Sequence, residues 1–425
     1  VIFTFHALHD PQFRGPAALS TFWRQVKVEE LDEGTVRFTL KQPFAPFLEY
    51  ASLGILPSHL LAALPAQELP ASQFNSRPIG TGPYQVLEAD PRQVTLEANP
   101  HYGGQRPYLT RVQFRYYPTA QAALQAFRQG EVLGLRNVPP EHAVELSTLK
   151  AANVYMRPFA SKLALLLLNL RHPLFAEKAV RQAMASAIDC QRVADAALGG
   201  AAVPAWGPLG RSYGAHDRAP RQHGYQPERA RRLLETAGWL EPAPGQTRQR
   251  GGQRLEFVLL TNDEPERIRA AEEISRQLQA VGIRAEVHAA GWTGLVQDFL
   301  VPGRFHAVLT EQWSPTADPD PYAFWHSSQA GDGLNLGSWV NPQADELLEQ
   351  ARRVLRREER ARLYGEFLAL FAEETPSVPL YHPVYAFAVD RKVKGVQVGP
   401  LHRPSDRLAN IADWYTRTRW VPRSF

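Results

Sequence analysis

The sequence is almost without cysteine, since Cys190 is the only one in 425 residues. A single thiol can form no internal disulfide and cannot supply the thiolates of a zinc site. A disulfide-dense secreted scaffold is therefore excluded, but export is not, because large exported domains fold without such bridges. Long apolar runs are also missing: none is longer than Leu163 to Leu168, which is far shorter than the roughly 18 residues of a membrane span.

Strong charge of either sign is absent as well. The 47 Lys and Arg residues nearly balance the 43 Asp and Glu residues, which leaves a net charge of +4. No basic run is interleaved with aromatic residues, so nothing predicts a nucleic-acid partner. With 44% hydrophobic and 21% charged residues the chain is globular, and at roughly 150 residues per domain its length predicts two to three domains.

Two signatures of an enzyme are missing too. The sequence has no His-Glu-x-x-His and no phosphate loop. The string Gly80-x-Gly82 is followed by Pro83, which ends rather than opens a phosphate-binding helix turn. Cys190 has no recognisable His partner and is expected to be inert. We therefore expect no enzymatic activity and no cofactor, with a hydrolase kept as the least favoured alternative.

The chain begins at Val1 without a Met or a leader, and Val1 to Phe5 alternates as a strand does. We interpret this as a strand already under way, and hence as an N-terminally truncated record.

The patterning that is present indicates an α/β protein. Residues 24–42 predict a hairpin, and Leu163 to Leu170 a strand buried on both faces. Residues 255–310 give the clearest strand–helix–strand pattern, with the two strands in parallel. Asn341-Pro342 caps a long helical stretch to about Glu374, with a break near Arg356, and Val378 to Asp390 returns to a strand.

Strings spread over nearly the whole chain resemble the extracytoplasmic solute-binding proteins of ATP-binding-cassette importers, in the peptide/nickel-binding family (family 5). Each string is weak alone, but their number, order and spacing make the resemblance specific. Among them are Pro78-Ile-Gly-Thr-Gly-Pro-Tyr84, Leu96-Glu-Ala-Asn-Pro-His-Tyr-Gly-Gly104, Gln125-Ala-Phe-Arg-Gln-Gly-Glu131, Pro227-Glu-Arg-Ala230 with Ala237-Gly-Trp239, Ala317-Asp-Pro-Asp-Pro321 and Val378-Pro-Leu-Tyr-His382.

The resemblance implies a two-lobed type II periplasmic-binding-protein fold with an extra subdomain in lobe I. Carried over to this chain, residues 1–78 form an incomplete subdomain of lobe I, and residues 79–160 lie in lobe I. Residues 161–383 form lobe II, and 384–425 return to lobe I. The family has a further first segment of lobe I before the point that matches Val1, in agreement with a truncated chain.

The implied function is capture of a small solute, an oligopeptide or peptide-like molecule, in a cleft between the lobes. The solute is then delivered to the permease subunits of an ABC transporter. The implied location is periplasmic or at the cell surface, as a monomer, with a lipid anchor, if one exists, outside this sequence. A carrier of nickel or another metal complex is the alternative within the family, for which His6-x-x-His9, His326 and His382 are candidate ligands. A sensor domain that hands its ligand to a receptor would have the same sequence features.

The resemblance places a ligand-contacting loop after the strand that ends at Thr310, where open α/β sheets hold ligands. The predicted ligand-binding residues of this loop are Trp313, Asp318, Asp320, Tyr322 and Trp325. The alternative for its Asp-Pro-Asp string is a rigid turn.

Three further candidates lie outside the loop. Asn169 either anchors ligand or caps backbone groups, and Trp206 and Tyr381 either face the cleft or fill the core or rim. Peptide-binding members carry an aspartate about three residues before Asp-Pro-Asp, and it pairs with the ligand's α-amino group. Here residues 315–317 contain no acid. Because a buried ammonium needs a partner, N-terminal capture by that route requires Asp318 to substitute.

Overall fold

The computed structural model describes residues 1–15, 17–148, 151–159, 161–210, 224–314, 318 and 320–417. Its N-terminal part carries two small antiparallel sheets and short helices. The elements are α1 (Ile2–His9), α2 (Ala17–Trp23), β1 (Lys27–Asp32), β2 (Thr35–Thr39), α3 (Phe47–Tyr50), α4 (Ser58–Leu61), β3 (Tyr84–Asp90), β4 (Gln93–Ala98) and β5 (Arg111–Arg115).

The rest of the chain forms a large sheet with helices on its faces. Its strands are β6 (Gly134–Leu135), β7 (Ala152–Pro158), β8 (Lys162–Leu168), β9 (Ala202–Pro204), β12 (Glu256–Asn262), β13 (Arg284–Ala290), β14 (Ala307–Trp313) and β15 (Ser377–Asp390), and β10 (Gln249–Arg250) and β11 (Gln253–Arg254) pair separately. Its helices are α5 (Ala120–Arg128), α6 (Pro140–Thr148), α7 (Pro173–Ala176), α8 (Lys178–Ala187), α9 (Cys190–Leu198), α10 (Pro227–Thr236), α11 (Pro265–Gln279), α12 (Trp292–Gly294), α13 (Tyr322–Trp325), α14 (Pro342–Arg353) and α15 (Arg357–Glu374). A π-helix spans Leu295–Leu300, and short 3₁₀ helices cover Leu69–Ala71, Gln73–Asn75, Ser327–Gln329, Pro404–Leu408 and Ile411–Asp413.

Strand β15 belongs to two halves of this sheet. Its residues 377–381 pair with β8, in a large half ordered β13-β12-β14-β8-β15. Its residues 384–390 pair with β7, and 388–389 also pair with β6, in a small half. Strand β7 ends at Pro158 and β8 begins at Lys162, so the chain passes between the two halves here as well as within β15. We call these two crossings, Phe159 with Ser161 and residues 381–384 of β15, the hinge segment.

The large half is covered on both faces. Ala164, Leu166 and Leu168 of β8 pack toward α8, α9, α10 and α11, whereas Leu163, Leu165 and Leu167 pack toward α14 and α15. This confirms the prediction of a strand buried on both faces. Strands β12 and β13 are parallel and joined by α11, as predicted, while β8 pairs antiparallel with β14 and β15.

The predicted strand at the N-terminus is wrong, because Ile2–His9 forms the helix α1. A helix buries Thr4, Phe5, Ala7 and Leu8 on one face, a set that strand alternation would split between two faces. The Phe5 ring packs against Trp23 at 4.4 Å between ring centroids. The predicted hairpin is confirmed as β1 and β2, and the predicted break in the late helical stretch separates α14 from α15.

Candidate ligand-binding site

The carboxyl end of β14 meets the hinge segment. Trp313, the last residue of β14, is the register partner of Lys162, the first residue of β8. The backbone N–H of Ser314 donates to the carbonyl of Ser161 at 2.8 Å. The indole of Trp313 is 52% exposed. It therefore offers an aromatic face next to the two chain crossings.

A charged cluster surrounds Glu311, two residues before Trp313 on β14. The Glu311 carboxylate forms ion pairs with the Lys162 ammonium, at 3.3 Å, and with the Arg267 guanidinium. Arg267 comes from the first turn of α11 and is 6% exposed, and its Nη1 has no hydrogen-bond partner. Sequence reasoning missed Lys162 and Arg267. The available signal was that α11 follows β12, whose carboxyl end lies at this edge of the sheet.

The two aspartates of the predicted loop are held by arginines of the late helices. Arg360 of α15 donates to both carboxylate oxygens of Asp318, at 2.7 and 2.9 Å. Arg352 of α14 pairs with Asp320 at 2.8 Å. The Arg360 and Asp318 side chains are only 4% and 11% exposed, so this pair is buried. Residues 315–317 and 319 of the loop lie outside the described residues.

Tyr322 and Trp325 differ in their surroundings. The Tyr322 ring stacks on His326, with ring centroids 4.1 Å apart, and the Arg352 guanidinium lies 3.7 Å from its centroid. Trp325 is 2% exposed and packs edge-on against Phe371, with ring centroids 4.7 Å apart. Tyr322 therefore belongs to a half-buried polar cluster, and Trp325 to the core between the sheet and α15.

The candidates outside the loop are also placed. The Asn169 amide donates to the carbonyls of Gly303, at 3.2 Å, and Phe305, at 2.8 Å, so it caps backbone groups. Tyr381 is 2% exposed in the core of the large half, and burial raises its pKa to about 12. Trp206 is half-buried in the loop after β9. The structure thus brings Trp313, Asp318, Asp320 and Tyr322 to one region and leaves Asn169 and Tyr381 in structural surroundings.

The remaining candidates are the Cys190 thiol and the histidines. Burial raises the pKa of Cys190 to about 12, so the nucleophilic thiolate is not formed near neutral pH. Within the described ranges no three or more His, Cys, Asp or Glu side chains are grouped as metal ligands. The described helices include none that is both long and apolar enough to cross a bilayer.

Comparison with known proteins gives concordant matches. A Bacillus subtilis protein named oligopeptide-binding protein AppA is 29% identical over 426 aligned residues, covering 98% of this chain and 76% of that protein. A Pseudomonas aeruginosa protein named di/tripeptide-binding protein 2 is also 29% identical, covering 94% of this chain and 76% of that protein.

Solved structures match over the same length. The structure of AppA from Bacillus subtilis in complex with a nonapeptide superposes with a TM-score of 0.77 at 27% identity, covering 98% of this chain and 83% of that one. NikZ from Campylobacter jejuni in complex with Ni(L-His) superposes with a TM-score of 0.80 at 24% identity, covering the same shares, and supports the fold alone.

These matches confirm the predicted two-lobed type II fold. The model of the bacterial extracellular solute-binding proteins, family 5 (middle region), matches residues 1–333, well over half of the chain. The members of this family are extracytoplasmic proteins that bind solutes for ABC importers. This chain belongs to the family of bacterial extracellular solute-binding proteins, family 5.

Proposed function

We propose that this protein binds an oligopeptide or a peptide-like solute between its two lobes and delivers it to an ABC permease. The observation that carries the proposal is the exposed indole of Trp313 at the carboxyl end of β14, beside both chain crossings. An aromatic face there can stack on a ligand that the lobes enclose. The peptide-binding names of the relatives support the class of ligand.

The division of the chain is part of the proposal. Lobe II comprises residues 161–383, and lobe I comprises 79–160 and 384–425 with the subdomain 1–78. The pairing of β15 supports this division, since its partner changes from β8 to β7 between residues 381 and 384. We further propose that the protein acts as a monomer, binds its solute without transforming it, and works outside the cytoplasm, where an added lipid anchor would hold it at the membrane.

Isothermal titration of the purified protein with peptides tests this function. The series runs from dialanine to pentaalanine, together with a mixed-sequence nonapeptide library, and Ni²⁺ with L-histidine serves as the competing class of ligand. We expect saturable binding of at least one peptide class, unaltered peptide after incubation, and no binding of the nickel complex. Binding of the nickel complex with no binding of any peptide would overturn the proposal.

A further inference from the structure

A second group of donors lies on the small half of the sheet. Strand β6 ends at Leu135, and the next residues pass over β15, because the Val138 N–H donates to the carbonyl of Ala386 at 2.8 Å. Arg136 and Asn137 are exposed in this turn, and Asn137 adopts a left-handed backbone with φ of 54°. They therefore lie next to Tyr385 of β15. Together with Arg407 we call these residues the Arg407 cluster.

Arg407 approaches Tyr385 from the 3₁₀ helix Pro404–Leu408. Its guanidinium carbon lies 5.6 Å from the centroid of Phe387, and its Nη1 donates to the carbonyl of Pro404. Burial raises the pKa of Tyr385, whereas the nearby positive charges of Arg407 and Arg136 and the backbone N–H of Asn137 act to lower it. Arg407 and the turn that carries Arg136 and Asn137 thus both lie against this part of β15.

The cluster has hydrogen-bond donors that lack acceptors, and no carboxylate among the described residues forms an ion pair with its arginines. Tyr385 is 4% exposed and Arg407 is 7% exposed, yet neither the phenol oxygen nor Arg407 Nε has a hydrogen-bond partner of good geometry. Within the described part of the chain no ion pair reaches Arg136 or Arg407. The adjacent Asp406 carboxylate already accepts from the backbone N–H groups of His402 and Arg403. Buried donors without an acceptor are costly, which favours an anion supplied from outside.

The cluster is attached to the hinge segment. Phe159 is bridged to Leu401, and the Ser161 hydroxyl donates to the carbonyl of His402 at 2.6 Å. The Tyr385 ring packs edge-on against Phe159, with ring centroids 6.0 Å apart. The Arg407 cluster therefore lies at the crossing between the sheet halves, as Trp313 does, but on the side of the small half.

We infer that the Arg407 cluster binds a carboxylate of the peptide ligand, an inference that rests on the proposed function. Two guanidinium groups, a phenol hydroxyl and a backbone N–H match the lone pairs of a carboxylate, which Arg binds with two nitrogens. On the opposite side of the hinge segment, Asp318 and Asp320 are already ion-paired with Arg360 and Arg352. Recognition is therefore dominated by the carboxylate of the peptide rather than by its ammonium group.

The test uses the tightest-binding peptide of the series above in three forms: free, C-terminally amidated and N-acetylated. Loss of a charge-assisted hydrogen-bonded contact weakens binding by about tenfold or more. We expect that loss on amidation and a smaller change on acetylation. A fourth peptide, amidated but carrying a terminal Glu side chain, shows whether a side-chain carboxylate substitutes, and regained affinity supports the same carboxylate recognition.

Variants then connect the effect to the cluster. In Arg136→Gln, which alters only an exposed side chain, and in Tyr385→Phe, the affinities of the free and amidated peptides should converge. Arg92→Gln, at the exposed turn between β3 and β4, removes the same charge elsewhere and should keep the full amidation penalty. Peptide binding that is indifferent to amidation overturns this inference alone, as does competition by inorganic phosphate without any effect of amidation. Failure of every peptide to bind overturns the proposed function itself.

Discussion

Two tryptophans twelve residues apart have opposite surroundings. Trp313 is 52% exposed, whereas Trp325 is 2% exposed and packs against Trp339 and Phe371. Trp325→Ala should lower the free energy of unfolding by about 3–5 kcal/mol, because it opens a cavity in the core. Trp313→Ala should change it by no more than about 0.5 kcal/mol and instead weaken peptide binding. Urea unfolding and peptide titration of both variants check this, and equal losses of stability would contradict it.

The Asp318–Arg360 pair predicts a large effect of a small change. Asp318→Asn removes the negative charge that pairs with the guanidinium of Arg360, whose side chain is only 4% exposed. We expect a loss of about 3–5 kcal/mol in the free energy of unfolding, measured in urea. Asp320→Asn is the matched control, since its partner Arg352 is 23% exposed and should tolerate the change better. Equal, small losses in the two variants would show that the Asp318 pair is not buried in solution.

His172 gives a prediction about pH. Burial lowers its pKa from the ordinary value of 6.5, helped by the neighbouring His306, whose ring centroid is 4.4 Å away. Below pH 6.5 the unfolded chain binds a proton at this residue that the folded chain does not, so stability falls as the pH decreases from 6.5 toward the lowered pKa. The slope stays below the ~1.4 kcal/mol per pH unit of one full proton.

His172→Phe should therefore flatten the decline in stability on acidification, whereas His101→Gln, at an exposed position, should leave it unchanged. Urea unfolding at a series of pH values on either side of 6.5 measures both. A decline as steep in His172→Phe as in the unaltered protein would assign the pH dependence to other groups.

At the scale of elements, the helix starts differ in their caps. The Asn341 side chain accepts from the backbone N–H groups of Gln343 and Ala344 at the start of α14, whereas Gln226 before α10 makes no such bond. Asn341→Ala should cost about 0.5–2 kcal/mol of stability, because it leaves helix-end N–H groups unpaired. Gln226→Ala should cost much less. Comparable costs in urea unfolding would contradict a stabilising role for the cap.

Elements whose apolar residues fit only a strand or only a helix spacing were predictable from the sequence. Elements whose apolar residues fit both spacings were not. In the strand–helix–strand unit of β12, α11 and β13, apolar residues recur every second residue in the strands and every third or fourth residue in the helix. The unit was therefore predicted, together with its parallel pairing. The segment Ile2–His9 fits both periods locally, and only its packing on Trp23 and Phe38 selects the helix. Pairing partners of β8 were not predictable, because long-range strand order is absent from local patterning.

The site shows the same limit at the scale of single contacts. The sequence identified the loop around Trp313, but it could not show that Arg352 and Arg360, more than thirty residues later, hold its two aspartates. Nor could it bring Arg136 and Arg407 near each other, since this depends on the turn after β6 and the 3₁₀ helix Pro404–Leu408 both lying against β15. Residues that are distant in the sequence and meet only in the fold produce no recognisable spacing pattern in the sequence.

At the scale of the whole molecule, Arg352 of α14 contacts the N-terminal segment that carries Phe44 and Ala45. The Arg352 guanidinium lies 3.7 Å from the Tyr322 ring centroid and 5.3 Å from that of Phe44. The backbone N–H of Ala45 donates to the Arg352 carbonyl at 2.7 Å. In the proposed division, Phe44 and Ala45 belong to lobe I and Arg352 to lobe II. On the proposed division, the contact stabilises a closed arrangement of the lobes.

Arg352→Gln should accordingly shift the ligand-free protein toward open arrangements. A cation–π contact contributes about 0.5–2 kcal/mol, so the ratio of closed to open molecules should fall by about two- to thirtyfold, and the apparent affinity for peptide should fall with it. Small-angle X-ray scattering should show a larger radius of gyration for the ligand-free variant, and saturating peptide should restore the compact value. Arg353→Gln, at an adjacent side chain that is 53% exposed and paired on the helix surface, is the control and should scatter as the unaltered protein does. A radius of gyration that neither the substitution nor the peptide changes would exclude hinged closure as the mode of capture, even if the peptide binds.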